Sequence, residues 1–340
     1  MTVAIRSVCA ALALAVASTV ALAQKTQLLV YTALETDQLK AYEQGFYKEV
    51  SDVEIRWVRD STGVITAKLL AEKANPQADV IMGVAASSLA LLDSQGMLHP
   101  YAPLNLDAIM MKYRDPKNPP AWFGMDVWGA TVCFNTVEAK KRNIPKPETW
   151  KDLLKPAFKG QIVMPNPASS GTGFFDVVAW LNLWGEKGGW EYMDKLHENI
   201  AMYTHSGSRP CNMAASGEFV AGISFEYRGN TNKAKGAPID LVFPKEGLGW
   251  DLEAFAIHKG TKKLDAAKKL ADWASSKNAM ILYGKNFAIT AQPGVAEPLA
   301  NVPKDYEDRL VKMDFKKTAE NRERILAEWT KRYNGKTEKR

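Results

Sequence analysis

Along residues 26–95 the spacing of apolar positions switches back and forth between two periods. Thr26–Thr32 is an apolar run of strand length, closed by Ala33-Leu34-Glu35-Thr36. From Asp37 to Glu49, Leu39, Tyr42 and Phe46 recur at three- and four-residue spacing, which predicts an amphipathic helix. Val53–Val58 alternates as a strand. Asp60-Ser61-Thr62-Gly63 follows it, and Val64–Ala74 reads as helix. Ala78–Gly83 is a third short buried strand, and Ser87-Ser88 open a helix over Leu89–Gln95 that Gly96 stops. The order βαβαβα predicts a parallel sheet with helices on its faces. In such sheets ligands meet the carboxyl ends of the strands, where helix N-termini offer free backbone N–H groups.

A second unit of the same kind follows. Strands are predicted over 129–135, 160–164, 220–224, 239–244 and 252–258, and helices over 149–154, 174–184, 213–217, 263–275 and 318–333. Ile200–Tyr203 leads into His205-Ser206-Gly207-Ser208. The charges of the last helix read as a solvated face. No tandem repeat or long linker interrupts the chain, and Asn334–Arg340 is expected to fray.

The first 23 residues read as a secretory signal peptide. Arg6 supplies the positive start, Val8–Leu22 is apolar, and Ala21 and Ala23 stand at the positions a signal peptidase reads. The run is shorter than the roughly 20 residues needed to span a bilayer. Cys9 opens the apolar run instead of following it, so lipidation there is not expected. The mature chain is therefore expected outside the cytoplasm. It carries 43 − 38 = +5 once Arg6 is removed, against 44 − 38 = +6 for all 340 residues. So small an excess does not predict nucleic-acid binding and suits an anionic ligand only weakly. An oxidising compartment permits a bridge between Cys133 and Cys211, a pairing the sequence leaves open.

Enzyme signatures are missing: no P-loop, no nucleophile elbow, no His-Glu-x-x-His, no Cys-x-x-Cys, no dinucleotide glycine pattern. His99, His197, His205 and His258 are scattered, without metal-ligand spacing. No catalysis, cofactor or metal is expected. The positive signal is a set of small hydroxyl clusters placed just after predicted strands. They are Ser61-Thr62-Gly63, Ser87-Ser88, Ser169-Ser170-Gly171-Thr172 and Ser206-Gly207-Ser208. Each cluster alone fits a helix cap as well as a ligand contact. Four of them, two from each half, favour an oxyanion site in a cleft between two lobes. Glu35 and Glu226 also follow strands. A carboxylate is a poor neighbour for an oxyanion unless the ligand carries a cation too, so a zwitterion would explain both. Tyr31 and Tyr227 are candidates to pack against or hydrogen-bond the ligand. Trp122 reads as core, and Trp128 as core or cleft wall.

The segments Leu28-Leu-Val-Tyr-Thr-Ala33, Ala78-Asp-Val-Ile-Met-Gly83 and Phe158-Lys-Gly-Gln-Ile-Val163, with the signal peptide, resemble solute-binding proteins of ABC importers, in the ferric-ion, thiamine and phosphate-ester subclass. Six further segments are similar to 2-aminoethylphosphonate-binding proteins: residues 31–35, 57–63, 85–92, 164–173, 203–208 and 223–228. Ferric-ion binders carry two adjacent tyrosines after the late strand; here the pair is Glu226-Tyr227, which suits an amine better than iron. The resemblance implies an α/β two-lobe periplasmic binding protein fold of type II, with a ligand cleft between lobes that close on the ligand. Lobe I is expected over 24–125 plus 255–300, lobe II over 126–254, and a C-terminal helical segment over 301–340. The crossings are expected between Trp128 and Asn135 and between Leu252 and His258. The implied ligand is 2-aminoethylphosphonate, delivered by a monomer to a membrane permease, with ferric-ion, phosphate-ester, thiamine or polyamine binding as alternatives. Ser61, Thr62, Ser87, Ser88, Ser169, Ser170, Gly171 and Thr172 are the implied phosphonate contacts, and Gly63 and Ser206 are further implied ligand contacts. Tyr31 and Tyr227 would join them, with Glu226 or Glu35 at the amine.

Overall fold

The computed structural model describes residues 25–339, so the signal segment 1–23 lies outside the described residues. The chain opens β1 (Thr26–Thr32), α1 (Thr36–Tyr47), β2 (Val53–Arg59), α2 (Thr62–Ala71), β3 (Val80–Ala85), α3 (Ala86–Ser94) and β4 (Leu98–His99). It continues β5 (Phe123–Asn135), α4 (Thr136–Arg142), β6 (Ile162–Pro165), α5 (Gly171–Asn199), β7 (Ile200–Thr204), α6 (Arg209–Ser216), β8 (Ala221–Phe225) and α7 (Glu226–Ala234). It ends β9 (Ile239–Val242), β10 (Trp250–His258), α8 (Leu264–Ala274), α9 (Lys277–Lys285), β11 (Ile289–Thr290), α10 (Tyr306–Arg309) and α11 (Phe315–Tyr333).

Two lobes share one curled, mixed sheet ordered β2-β1-β3-β10-β5-β8-β6-β7. β1 pairs parallel with β2 and β3, and β6 pairs parallel with β7 and β8, as the βα alternation requires. β5 joins the two halves. Its first part pairs antiparallel with β10, down to Gly129 opposite Trp250; from Ala130 onward it pairs with β8 and β9. The change of partner at Gly129–Ala130 falls in the expected crossing. β10 begins at that same level and runs wholly along lobe I. All 13 residues of β5 are buried, and it reads as an apolar strand interrupted by Asp126, Thr131 and the terminal Asn135.

Each lobe has its own aromatic core. Tyr42, Phe46, Trp273 and Tyr283 interlock in lobe I, and Trp150, Trp180 and Tyr192 in lobe II. Trp122 is core, edge-on to Phe315. The last helix packs on both lobes. α11 lies against α3, Arg322 covers the Phe174 ring of α5 at 4.4 Å, and Trp329 meets Tyr203 of β7.

The structure departs from the sequence reading in four places. The helix expected over 174–184 continues to Asn199, broken only at Gly185, whose φ of 72° lets the axis turn. The helix expected over 149–154 is a short 3₁₀ turn, Lys151–Leu154. α4, α7 and α9 had no clear periodic signal. Finally, the tail is fastened, not frayed. Glu338 N–H donates to the Tyr203 carbonyl at 2.9 Å, the Glu338 carboxylate accepts from His205 N–H at 2.6 Å, and Arg209 pairs with it at 2.7 Å. Cys133 of β5 and Cys211 of α6 are joined by a disulfide.

Candidate functional site

Two helices from opposite lobes open onto one cavity. Ser61 caps α2 without using its hydroxyl for the cap, and Ser170 caps α5, accepting from Gly173 N–H at 3.4 Å. The first turn of a helix leaves amides with no intrahelical acceptor, and here two such turns converge. Ser61 and Thr62 from one lobe and Ser170, Gly171, Thr172 and Gly207 from the other line a cleft of about 30 Å3. Trp128 and Phe225 wall it, and Glu35, Arg59 and Glu253 complete it. This is a donor-rich cradle sized for a small oxyanion.

The lobes touch across it. Gly63 N–H of α2 donates to the Ser169 carbonyl at 2.9 Å. A Cβ on Gly63 would lie 2.1 Å from the Ala168 carbonyl oxygen, and one on Gly171 would lie 3.0 Å from Thr62 Oγ1. Only glycine permits this approach.

A second set of contacts crosses the cleft mouth. Arg228 of α7 meets Glu35 Oε2 at 2.9 Å and both Asp37 oxygens at 3.2 Å, and Tyr227 O–H donates to Asp37 at 3.3 Å. Arg59 holds the other Glu35 oxygen at 3.5 Å. Burial works to raise the Asp37 carboxyl, but Arg228 prevails and holds it below its ordinary value.

Behind the cradle lies a second, smaller cavity with room for one water-sized group. Asp126, Glu226, Glu253, Trp128 and Tyr227 line it. Trp128, Phe225 and Glu253 border both cavities. Asp126 and Glu253 face each other on paired strands. Glu226 Oε2 accepts Gly129 N–H at 2.7 Å, while Glu226 Oε1, Asp126 Oδ2 and Glu253 Oε2 have no partner. Burial pushes the Glu226 carboxyl up to about 8, and burial also raises the carboxyls of Asp126 and Glu253 above their ordinary values.

The cradle thus gathers Glu35, Ser61, Thr62, Ser170, Gly171 and Thr172, with Gly63 at the lobe contact. Other expected residues lie elsewhere. Tyr31 O–H donates to Glu72 at 2.9 Å. Ser87 and Ser88 head α3 with buried hydroxyls, where Gly83 and Ala85 reach the cavity instead. Ser169 Oγ donates to the His205 carbonyl at 3.0 Å, and Ser206 shares a hydrogen bond with Ser208 at 2.9 Å. Glu226 and Tyr227 border the rear cavity. Sequence reasoning missed Arg59, Arg228, Asp126 and Glu253. The last two had a visible signal: an acid flanked by apolar residues inside a buried strand.

Residues 75–317 match the bacterial extracellular solute-binding protein family. The periplasmic binding protein AfuA from Actinobacillus pleuropneumoniae, solved with exogenous fructose-6-phosphate bound, is 32% identical with a TM-score of 0.85, over 92% of this chain and 99% of that one. The periplasmic binding protein P5PA is 28% identical with a TM-score of 0.84, over 91% and 100%. A probable ABC transporter periplasmic-binding protein of Sinorhizobium fredii is 27% identical over 74% of this chain and 70% of its own length. Proteins of this kind deliver small molecules to membrane permeases and are not enzymes. The chain belongs to the bacterial extracellular solute-binding proteins and is the periplasmic solute-binding component of an ABC importer.

Proposed function

We propose that the receptor captures 2-aminoethylphosphonate. The observation that carries this reading is the pairing of a donor-rich cradle with an adjoining, cation-free group of carboxylates. Thr62, Ser170, Thr172 and the first-turn amides of α2 and α5 would hold the phosphonate. Charge-assisted hydrogen bonds contribute roughly 1.5–3 kcal/mol each, so a few give micromolar or tighter binding after ordering costs. Glu35 already serves Arg59 and Arg228. The amine therefore falls to the carboxylates behind Trp128, Glu226 among them.

A second reading has one specific observation behind it. The AfuA relative holds fructose-6-phosphate, and carboxylates also accept from sugar hydroxyls. Calorimetric titration of the ligand-stripped protein separates the two. The first reading expects one-to-one binding of 2-aminoethylphosphonate, with ethylphosphonate and inorganic phosphate much weaker. Binding of fructose-6-phosphate alone would replace it. Thr172→Val should weaken every phosphonate by about 10-fold or more; unchanged affinity would remove Thr172 from the cradle.

A further inference from the structure

We infer that Asp126, Glu226 and Glu253 form a subsite that takes a primary ammonium in exchange for a proton, so that ligand capture is linked to pH. The inference rests on the reading that the ligand carries an amine beside its oxyanion.

Asp126 is 2% exposed and Glu226 0%, and Glu253 is partly buried. Each has a buried carboxylate oxygen that no donor reaches, all three line the rear cavity, and Asp126 and Glu253 stand close enough to share a proton. Among the described residues no ion pair reaches any of the three. The guanidiniums at the cleft, Arg59 and Arg228, belong to Glu35 and Asp37. The other titratable groups around the cluster are Glu35 and the phenols of Tyr42, Tyr227, Tyr283 and Tyr306, which burial keeps neutral. Nothing basic neutralises the cluster, and three carboxylates this close, two of them fully buried, cannot all stay ionised unpaired. Without a cation beside it the cluster must therefore hold protons. An ammonium fits the water-sized space and donates the hydrogen bonds these oxygens lack. It also supplies the counter-charge that lets a carboxylate ionise, so a proton leaves as the ammonium enters. Each step balances: one proton goes to solvent and one cation arrives.

Glu253 borders both cavities. The two cavities thus share a wall, and a short ligand with an oxyanion at one end and an ammonium at the other would engage both. A hexose phosphate offers no cation and leaves the protons in place.

The test is calorimetric titration at pH 8 in two buffers of different ionisation heat, with 2-aminoethylphosphonate, phosphoethanolamine and fructose-6-phosphate as probes. At that pH both amine ligands are dianionic at phosphorus and still ammonium at nitrogen, so any proton released comes from the protein. We expect release of about one proton per amine ligand bound, reduced in Glu253→Gln and in Glu226→Gln, two variants that guard against failure of either to fold. Binding of 2-aminoethylphosphonate without proton release, or with release unchanged in both variants, overturns the inference and leaves the proposed ligand standing. Binding of phosphoethanolamine alone, with release, overturns that ligand and sustains the subsite. Binding of fructose-6-phosphate alone overturns both.

Discussion

Gly63 of one lobe donates its amide hydrogen to the Ser169 carbonyl of the other at 2.9 Å, with no room for a side chain between them. The contact requires the two lobes to lie against each other and is lost if they separate. Gly63→Ala therefore isolates closure from folding. Alanine favours α2 by up to about 1 kcal/mol, so the open lobe should fold at least as well. Its methyl would meet the Ala168 carbonyl and hold the lobes apart. Ligand affinity should fall by about 10-fold or more, because only the closed population binds tightly. Small-angle scattering with saturating ligand should retain the open radius. Wild-type affinity and compaction would show that the contact does not limit closure.

Arg228 and Glu35 form the other tie across the cleft. Arg228 is largely buried, and its loss leaves Glu35 with Arg59 alone at 3.5 Å and the half-exposed Asp37 with the Tyr227 hydroxyl and the distant Lys235. Solvent screening at Asp37 moderates the effect. Arg228→Gln should weaken ligand binding about 5- to 30-fold, equivalent to about 1–2 kcal/mol, chiefly through faster release. A double-mutant cycle with Glu35→Gln measures the coupling. Strict additivity would show that the pair does not act as a unit. Because Arg228 holds the Asp37 carboxyl below its ordinary value, the tie should persist into mild acid.

Glu226 makes the ligand-free protein sensitive to rising pH. Its folded carboxyl titrates near 8, against an ordinary 4.5, because burial disfavours the charged form. Between those values the folded state binds more protons than the unfolded one. Stability from this group is thus full below about 4.5 and disappears as pH rises through about 8. Denaturant midpoints of the ligand-free protein should fall from pH 5 to pH 9. Glu226→Gln keeps the acceptor for Gly129 N–H and should flatten that slope. A slope identical to wild type would show that Glu226 does not hold the proton.

Much of this was legible in the chain because period and punctuation carry local information. The βαβαβα alternation and the hydroxyl-Gly junctions before α2 and α5 predict the lobe I sheet and the cradle. Ser87-Ser88 carry the same local pattern, yet the turn at Gly83, with φ of 69°, brings Gly83 and Ala85 to the cavity instead. Which junction faces the ligand is a tertiary fact. The Arg228–Glu35 ion pair and the facing acids Asp126 and Glu253 bring together residues far apart in sequence, and no spacing encodes them. The tail was misread for a related reason. Its polar residues look solvated, but Glu338 reaches back to His205 and Arg209.

The Cys133–Cys211 bridge should matter for stability and not for binding. It closes a loop across 78 residues of lobe II, tying β5 to α6. Cross-linking a loop of that size restricts the unfolded chain, a contribution of about 2–4 kcal/mol. The bridge sits in a small buried cluster with Ala214 and Ile239, on residues that line neither cleft cavity. Reduction, or the paired substitution Cys133→Ala with Cys211→Ala, should lower the denaturation midpoint. One-to-one ligand binding at moderate temperature should keep its wild-type affinity. An unchanged midpoint would show that the folded lobe does not depend on the cross-link. A loss of affinity in a variant that remains folded would show that α6, and through it the β8–α7 junction carrying Glu226, transmits to the site.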